Sequence, residues 1–191
     1  TLSGTVNIAT GGVWSGGTGS FSPNAASLTA SYTPTLAEIA SGSVQLYLTS
    51  TGNGNCNAVR DSVLITITAA PLVNAGPNTT SCANNSSVNL GGVITNATGG
   101  IWSGGGGNYV SSNTDLNAVY TPSNAEILAG SVTLTLTSTG NVTCASISDN
   151  ILITILPAPT SDAGLDQSVC ANNATVSLVG SVTGASGGQW S

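Results

Sequence analysis

The side chains that could do chemistry in this 191-residue sequence are seven carboxylates, four cysteines, one arginine and many hydroxyls, with no histidine and no lysine. A serine or threonine becomes a nucleophile only when a neighbouring base takes its proton, and histidine and lysine are the ordinary bases for that step. Paired carboxylates could act as general acid and base, but no such pair recurs in both copies of the internal repeat. The sequence therefore predicts no catalytic residue and no enzyme activity.

The four cysteines are the remaining candidates for a chemical site. They show neither Cys-X-X-Cys spacing nor neighbouring histidines, which are the usual marks of a zinc site. We therefore expect no metal site and no cofactor. Disulfides in an oxidising compartment are the favoured interpretation of these cysteines.

The charge content of the chain is very low. Charged residues make up 4% of the sequence, against roughly 25% in ordinary soluble domains. The net charge of −6 leaves no basic patch for phosphates, which argues against nucleic acid and an anionic membrane surface as partners. No apolar run approaches the roughly 20 residues of a membrane helix, so we predict no membrane insertion. A surface of Ser, Thr, Asn and Gly is typical of secreted β-proteins.

One tandem repeat organises the sequence. Equivalent residues recur 88 positions apart without a gap, as in Trp14, Trp102 and Trp190. With the prolines at 71 and 157–159 as boundaries, we expect residues 72–159 to form a complete repeat. Residues 1–71 then form a partial repeat without its first strand segment, and residues 160–191 a partial repeat with the first strands only. We expect the chain to be a window on a longer protein.

Apolar residues alternate along several short segments of the repeat. The runs Val132 to Leu136 and Ile151 to Ile155 place every second residue on one face, which is typical of half-buried strands. Gly and Asn clusters separate the segments, and no sustained helical period is present. We predict an all-β fold of tandem immunoglobulin-like β-sandwich repeats of about 88 residues, each with about seven strands and one short helical turn. A barrel is the alternative.

The helical turn is predicted from two capping-box patterns. They begin at Thr35 and Ser123, with Glu38 and Glu126 three residues later, and each is followed by a glycine that would end the helix. This interpretation gives both glutamates a structural role. A catalytic or metal-binding role for Glu126 is the competing hypothesis.

The aromatic residues are the predicted core. Trp14 and Trp102 lie in the motif GG(V/I)WSGG, where the residue before the tryptophan varies and should face solvent. Alternation then turns the indole inward, as in the core of a sandwich, together with Tyr32 and Tyr120. The competing interpretation is an exposed indole on which a sugar could stack.

Cys82 and Cys144 are the two cysteines of the complete repeat and are our first choice for a disulfide. Their bridge would close a loop of about 60 residues and stabilise the fold by about 4 kcal/mol. A plain immunoglobulin arrangement, however, places the first turn and the last hairpin at opposite ends of the domain. A bridge between repeats, from Cys56 to Cys82, and free buried thiols therefore stay open.

Several motifs together resemble the repeats of giant cell-surface proteins of Bacteroidota: AGPNTTSCANNSSVNL, ATGGIWSGG, YTPSNAEILAGSVTLTLTSTGN and ILITI. The segment AGLDQSV also resembles modules of the polycystic-kidney-disease type. The resemblance implies a bacterial cell-surface location, type IX secretion and membership of gliding-motility-type adhesins or extracellular filaments. Asp61-Ser62-Val63 resembles the short O-glycosylation motif of that phylum, which makes Ser62 a candidate O-glycan site. The second copy, Asp149-Asn150-Ile151, lacks the hydroxyl.

These observations predict a structural or adhesive stalk segment of a long extracellular repeat protein. The expected partners are neighbouring repeats of the same chain, a second copy through lateral self-association, and a surface polysaccharide or substratum. The alternative function is a spacer or carbohydrate-binding module of a secreted polysaccharide-degrading enzyme. Ice or mineral binding by the outward threonines at 133, 135 and 137 is disfavoured, because the first copy has Gln45, Tyr47 and Thr49 there.

Overall fold

The structure is a computed structural model that describes residues 1–191. Thr1–Ala70 together with Val142–Ala145 form one compact unit, and Pro71–Asn141 together with Ser146–Ser191 form a second. Residues 160–191 therefore belong to the second unit, and the expected boundary after residue 159 stays a prediction. Almost all regular structure is β, with two short helices. The predicted all-β, immunoglobulin-like fold with one short helix per repeat is confirmed.

The first unit contains five strands and one helix. They are β1 (Gly11–Ser15), β2 (Ser20–Ser22), β3 (Ser31–Thr33), α1 (Leu36–Ser41), β4 (Ser43–Thr51) and β5 (Arg60–Thr66). One sheet has the order β1-β4-β5, and β2 pairs with β3. All of these pairs are antiparallel.

The second unit contains all the strands and the helix of residues 72–159. Its elements are β6 (Leu72–Asn74), β7 (Thr79–Cys82), β8 (Val88–Asn89), β9 (Val93–Thr95), β10 (Gly99–Ser103), β11 (Asn108–Val110), β12 (Val119–Thr121), α2 (Asn124–Ala129), β13 (Ser131–Thr139) and β14 (Ser148–Leu156). Two further strands, β15 (Thr160–Asp162) and β16 (Ser181–Thr183), pair with each other.

Two layers face each other in the complete repeat. One is the four-stranded sheet β10-β13-β14-β7, and the other comprises the sheet β11-β12-β8 and the pair β6-β9. Every pairing is antiparallel except β14 with β7, which is parallel. This parallel pairing places the end of β7 beside the end of β14, with Cys82 opposite Leu156.

The core lies between these layers, as period-two alternation requires. Its fully buried large side chains come from both layers: Trp102, Tyr120, Leu134, Leu136 and Ile153. Most residues between them on β13 and β14 are polar and face outward, in the pattern of a half-exposed sheet. Burial of a large apolar side chain contributes about 1.5–3 kcal/mol, so this cluster is the main source of stability in the unit.

The first unit repeats this register. Trp14 on β1 lies opposite Leu48 on β4, as Trp102 on β10 lies opposite Leu136 on β13. Its core contains Trp14, Ala30, Val44 and Leu46. Equivalent residues therefore fold equivalently, and the tandem repeat of sequence is a tandem repeat of structure.

No helix in residues 1–191 has the length and apolar content needed to cross a membrane.

Candidate functional site

Helix α2 begins at a capping box. The Ser123 hydroxyl accepts a hydrogen bond from the Glu126 backbone N–H at 3.4 Å, and the Glu126 carboxylate accepts one from the Ser123 N–H at 2.7 Å. The Ser123 N–H finds its partner in this carboxylate, and the Glu126 N–H is shared between the Ser123 hydroxyl and the Ser123 carbonyl oxygen at 3.1 Å. Gly130 ends the helix with φ 78°, a left-handed conformation that glycine adopts without strain. Thr35 and Glu38 form the same box in α1, which ends at Gly42.

The capping carboxylate also contacts the loop that follows β10. Glu126 Oε1 accepts hydrogen bonds from the Gly106 N–H at 2.7 Å and from the Tyr120 hydroxyl at 2.8 Å. The Tyr120 hydroxyl oxygen in turn accepts a bond from the Gly107 N–H at 2.9 Å. We name Tyr120, Ser123, Glu126, Gly106 and Gly107 the Glu–Tyr corner. It joins a strand, a helix and a loop through one carboxylate.

The first unit contains the same corner. Glu38 Oε1 accepts from the Thr18 N–H at 2.7 Å and from the Tyr32 hydroxyl at 2.8 Å, while the Gly19 N–H donates to Tyr32 at 2.8 Å. The corner was not predicted from the sequence. Its signal is the six-residue spacing between tyrosine and glutamate in both copies, which the capping pattern alone does not explain.

The corner shifts the acidity of its own members. Loss of hydration on burial raises the pKa of Glu38, but hydrogen bonds from the Thr35 and Thr18 N–H groups and the Tyr32 hydroxyl outweigh it and lower the pKa to about 2. The same balance lowers the pKa of Glu126. Burial and the neighbouring carboxylate raise the pKa of Tyr120. Both glutamates therefore stay ionised as acceptors, which suits a structural role and disfavours proton transfer near neutral pH.

Acid should weaken both units through this corner. The folded-state pKa of Glu38 lies below its ordinary 4.5, so its contribution is present above about pH 4.5 and is lost as the pH falls toward 2. We expect the free energy of unfolding, measured by urea titration between pH 2 and 7, to fall across this window. The double variant Glu38→Gln and Glu126→Gln should be less stable at pH 7 and should vary less with pH.

The exposed Asp166 supplies the matched control for this titration. Asp166→Asn removes an exposed carboxylate outside the corner and should leave the free energy of unfolding at pH 7 unchanged. A double glutamine variant that keeps the parental pH dependence would show that the corner does not govern acid stability.

Trp14 and Trp102 lie in the cores of their units, whereas Trp190 is 53% exposed. Trp102 has no exposed surface and Trp14 is 7% exposed. The preceding residue Val13 is exposed, as the varying position in the motif suggested. Both indole N–H groups lack a hydrogen-bond partner within the protein, an arrangement that costs free energy and is outweighed by the buried ring. A buried ring of this kind offers no face to a sugar.

All four cysteines are free thiols. The expected bridge between Cys82 and Cys144 is absent, and the fold supplies the reason. Cys82 pairs with Leu156 at the end of β14, whereas Cys144 lies in the loop before Ser148, where β14 begins. A nine-residue strand spans about 26–30 Å, which is far beyond the reach of a disulfide. The opposite-ends arrangement of the immunoglobulin topology is therefore the correct one.

The candidate glycosylation residue lies on a strand. Ser62 is exposed on β5, and its N–H donates to Asp61 Oδ1 at 2.8 Å. The equivalent Asp149 also accepts from the Ala75 N–H at 2.9 Å. That bond, with a second from the Asn150 N–H, lowers the pKa of Asp149 against the effect of burial. Glycosylation of Ser62 stays a prediction.

No known family profile matches the sequence, and no curated protein is significantly similar to it. Among solved structures, extracellular cadherin domains 1–4 of protocadherin gamma B7 are 13% identical, with a TM-score of 0.37 over 80% of this chain and 43% of that one. Domains EC22–24 of mouse cadherin-23 are 10% identical, with a TM-score of 0.38 over 81% of this chain and 57% of that one.

An endo-fucoidan hydrolase of glycoside hydrolase family 107 is 15% identical, with a TM-score of 0.29 over 77% of this chain and 24% of that one. This chain therefore spans less than two thirds of each of these proteins. TM-scores this low do not establish a common fold. The assignment of this chain to tandem immunoglobulin-like repeats rests on its own strand pairing and its 88-residue periodicity.

Proposed function

We propose that this chain is a segment of an extracellular structural or adhesive stalk, in which copying one folded repeat supplies length. The observation that carries the proposal is that the equivalent glutamate, tyrosine and tryptophan make contacts within the fold in both copies. The glutamates cap helices and bind tyrosines, and the indoles fill the cores. None of these groups faces outward to meet a substrate.

The connection after the complete repeat supports the same role. Strand β14 ends at Leu156 and β15 begins at Thr160, so only Pro157–Pro159 lie between them. Proline-rich connections of this length are stiff and transmit force along a chain. Placement on a bacterial surface, type IX export and a role in gliding are the finer parts of the proposal, and they rest on the resemblance of the repeat motifs.

Single-molecule force spectroscopy tests the stalk role. With the chain held at its two ends, we expect separate unfolding events that recover after relaxation. An unfolded 88-residue unit is about 290–320 Å long at about 3.3–3.6 Å per residue, so each event should release that length less the folded end-to-end distance. Extension without discrete events would overturn the proposal, because a stalk must resist load through its folded repeats.

The alternative, a carbohydrate-binding module, requires an accessible aromatic platform. The complete burial of Trp102 removes the best platform in the repeat. Affinity electrophoresis of the chain in gels containing alginate, fucoidan or cellulose derivatives tests this alternative. We expect unchanged mobility relative to a non-binding reference protein, and a polysaccharide-dependent retardation would favour the alternative.

Lateral self-association would extend a stalk into a filament. The outer strands of the four-stranded sheet, β10 and β7, carry no charged side chain, and charge is the usual means of blocking edge-to-edge pairing. Sedimentation velocity at rising concentration should show reversible assembly. A monomer at all concentrations would contradict this part of the proposal.

A further inference from the structure

Two cysteines lie beside equivalent backbone carbonyls. In the second unit, Cys82 Sγ is 3.9 Å from the carbonyl oxygen of Pro157. In the first unit, which includes Val142–Ala145, Cys144 Sγ is 3.7 Å from the carbonyl oxygen of Ala69 and 3.7 Å from that of Thr68. Ala69 and Pro157 are 88 residues apart and occupy the same place in successive repeats.

Because Ala69 and Pro157 are equivalent, two different cysteine positions share the same carbonyl neighbour. The Cys82 position lies next to the carbonyl that follows the last strand of its own repeat, and the Cys144 position lies next to the same carbonyl of the repeat before it. Two sulfurs that share one carbonyl neighbour can be no farther apart than the sum of their distances to it. The two thiols are therefore neighbours, and a disulfide joins them once their Cβ atoms lie about 3.5–4.5 Å apart.

We propose that successive repeats are joined by disulfides, each linking the Cys82 position of one repeat to the Cys144 position of the next. This pairing needs only the tandem repeat and does not depend on the stalk role. Residues 1–191 hold no complete pair of this kind, which agrees with the four free thiols. The two earlier candidates fail, because Cys82 and Cys144 of one repeat lie at opposite ends of β14, and Cys56 and Cys82 do not share a carbonyl position.

The bond forms by thiol–disulfide exchange. One thiolate attacks an oxidant of the disulfide class, which is a protein or a small molecule, and the second thiolate then displaces that oxidant from the mixed disulfide. The two cysteines lose two protons and two electrons and form one S–S bond. The oxidant gains both electrons and both protons and leaves as two thiols. A secreted protein meets such oxidants in its compartment.

The test uses the full chain with one extra copy of residues 72–159 inserted after Pro159, which keeps the natural connection. The protein is equilibrated in a glutathione redox buffer, its free thiols are blocked with iodoacetamide, and its bridges are mapped by pepsin digestion and mass spectrometry. We expect one disulfide, from Cys82 of the first copy of residues 72–159 to Cys144 of the inserted copy, and four blocked thiols.

Matched serine variants identify which copy contributes each sulfur. Cys82→Ser in the first copy, or Cys144→Ser in the inserted copy, should abolish the bridge. Cys144→Ser in the first copy, or Cys82→Ser in the inserted copy, should leave the bridge intact. Circular dichroism of each variant establishes that the fold is retained.

A bridge within one repeat, a bridge from Cys56 to Cys82, or six blocked thiols in folded protein would overturn the inference. These outcomes would leave the stalk role standing, because force spectroscopy of the reduced protein tests that role independently. Conversely, a chain that forms the expected bridge but unfolds without discrete events would contradict the stalk role and leave the disulfide proposal standing.

Discussion

Replacing Trp102 with alanine is expected to lower the free energy of unfolding of the second unit by about 3–5 kcal/mol, the usual cost of removing a large buried aromatic side chain. Trp102 has no exposed surface and lies opposite Leu136 across the β10–β13 pair. The cavity cannot collapse easily, because β10 is held by its hydrogen bonds to β13 and the Trp102 N–H donates to the Asn113 carbonyl oxygen at 2.7 Å. Urea denaturation followed by circular dichroism measures the loss.

Two controls separate core packing from other effects of this substitution. Trp102→Phe keeps an aromatic ring and removes an indole N–H that has no partner, so it should cost clearly less than the alanine variant. Val110→Ala removes an apolar side chain that is 55% exposed on β11 and should change stability by less than about 0.5 kcal/mol. A cost below about 1 kcal/mol for Trp102→Ala would contradict the placement of the indole in the core.

Gly105→Ala is expected to destabilise the second unit by about 2–4 kcal/mol, because it combines backbone strain with a broken hydrogen-bond network. Gly105 has φ +72°, which side chains other than glycine rarely adopt. A Cβ there would overlap the Tyr120 hydroxyl and would lie 2.7 Å from Glu126 Oε1. The Glu–Tyr corner would have to open.

The adjacent glycine is the matched control for this prediction. A Cβ on Gly106 would meet only the Ser123 hydroxyl, at 3.5 Å, and the backbone there is not left-handed. Gly106→Ala keeps the N–H that donates to Glu126, so it should be nearly neutral in thermal denaturation. Equal effects of the two alanine substitutions would mean that the corner does not require the close approach of the Gly105 backbone to Tyr120 and Glu126.

Much of the fold follows from local sequence. Alternation in the segments that became β13 and β14 predicts both strands and their buried faces, since one face of each meets the core. The capping pattern predicts where α1 and α2 begin, because the box is formed by residues three apart. Because the sequence repeats, each of these predictions also applies to the equivalent segment of the other copy.

The remainder depends on contacts between distant residues. The Glu–Tyr corner joins Glu126 to Gly106, which lies 20 residues earlier, so the six-residue spacing of tyrosine and glutamate does not reveal that this loop takes part. The cysteine pairing failed for the same reason, because the parallel pairing of β7 with β14 decides which end of the sandwich holds Cys82. The sequence gives the positions of the cysteines along the chain, and the order of the strands determines which of them lie close enough to form a disulfide.

Acrylamide quenching of Trp102 fluorescence tests most directly whether the repeat uses its indole for structure or for binding. The measurement uses the Trp14→Phe and Trp190→Phe double variant, in which Trp102 is the only indole left. We predict that the folded chain shows blue-shifted emission and weak quenching by acrylamide. The quenching should be unchanged by added polysaccharide and should increase strongly when the chain unfolds in urea. Quenching of the folded chain as strong as that of the unfolded chain, or protection of the indole by a polysaccharide, would contradict the account.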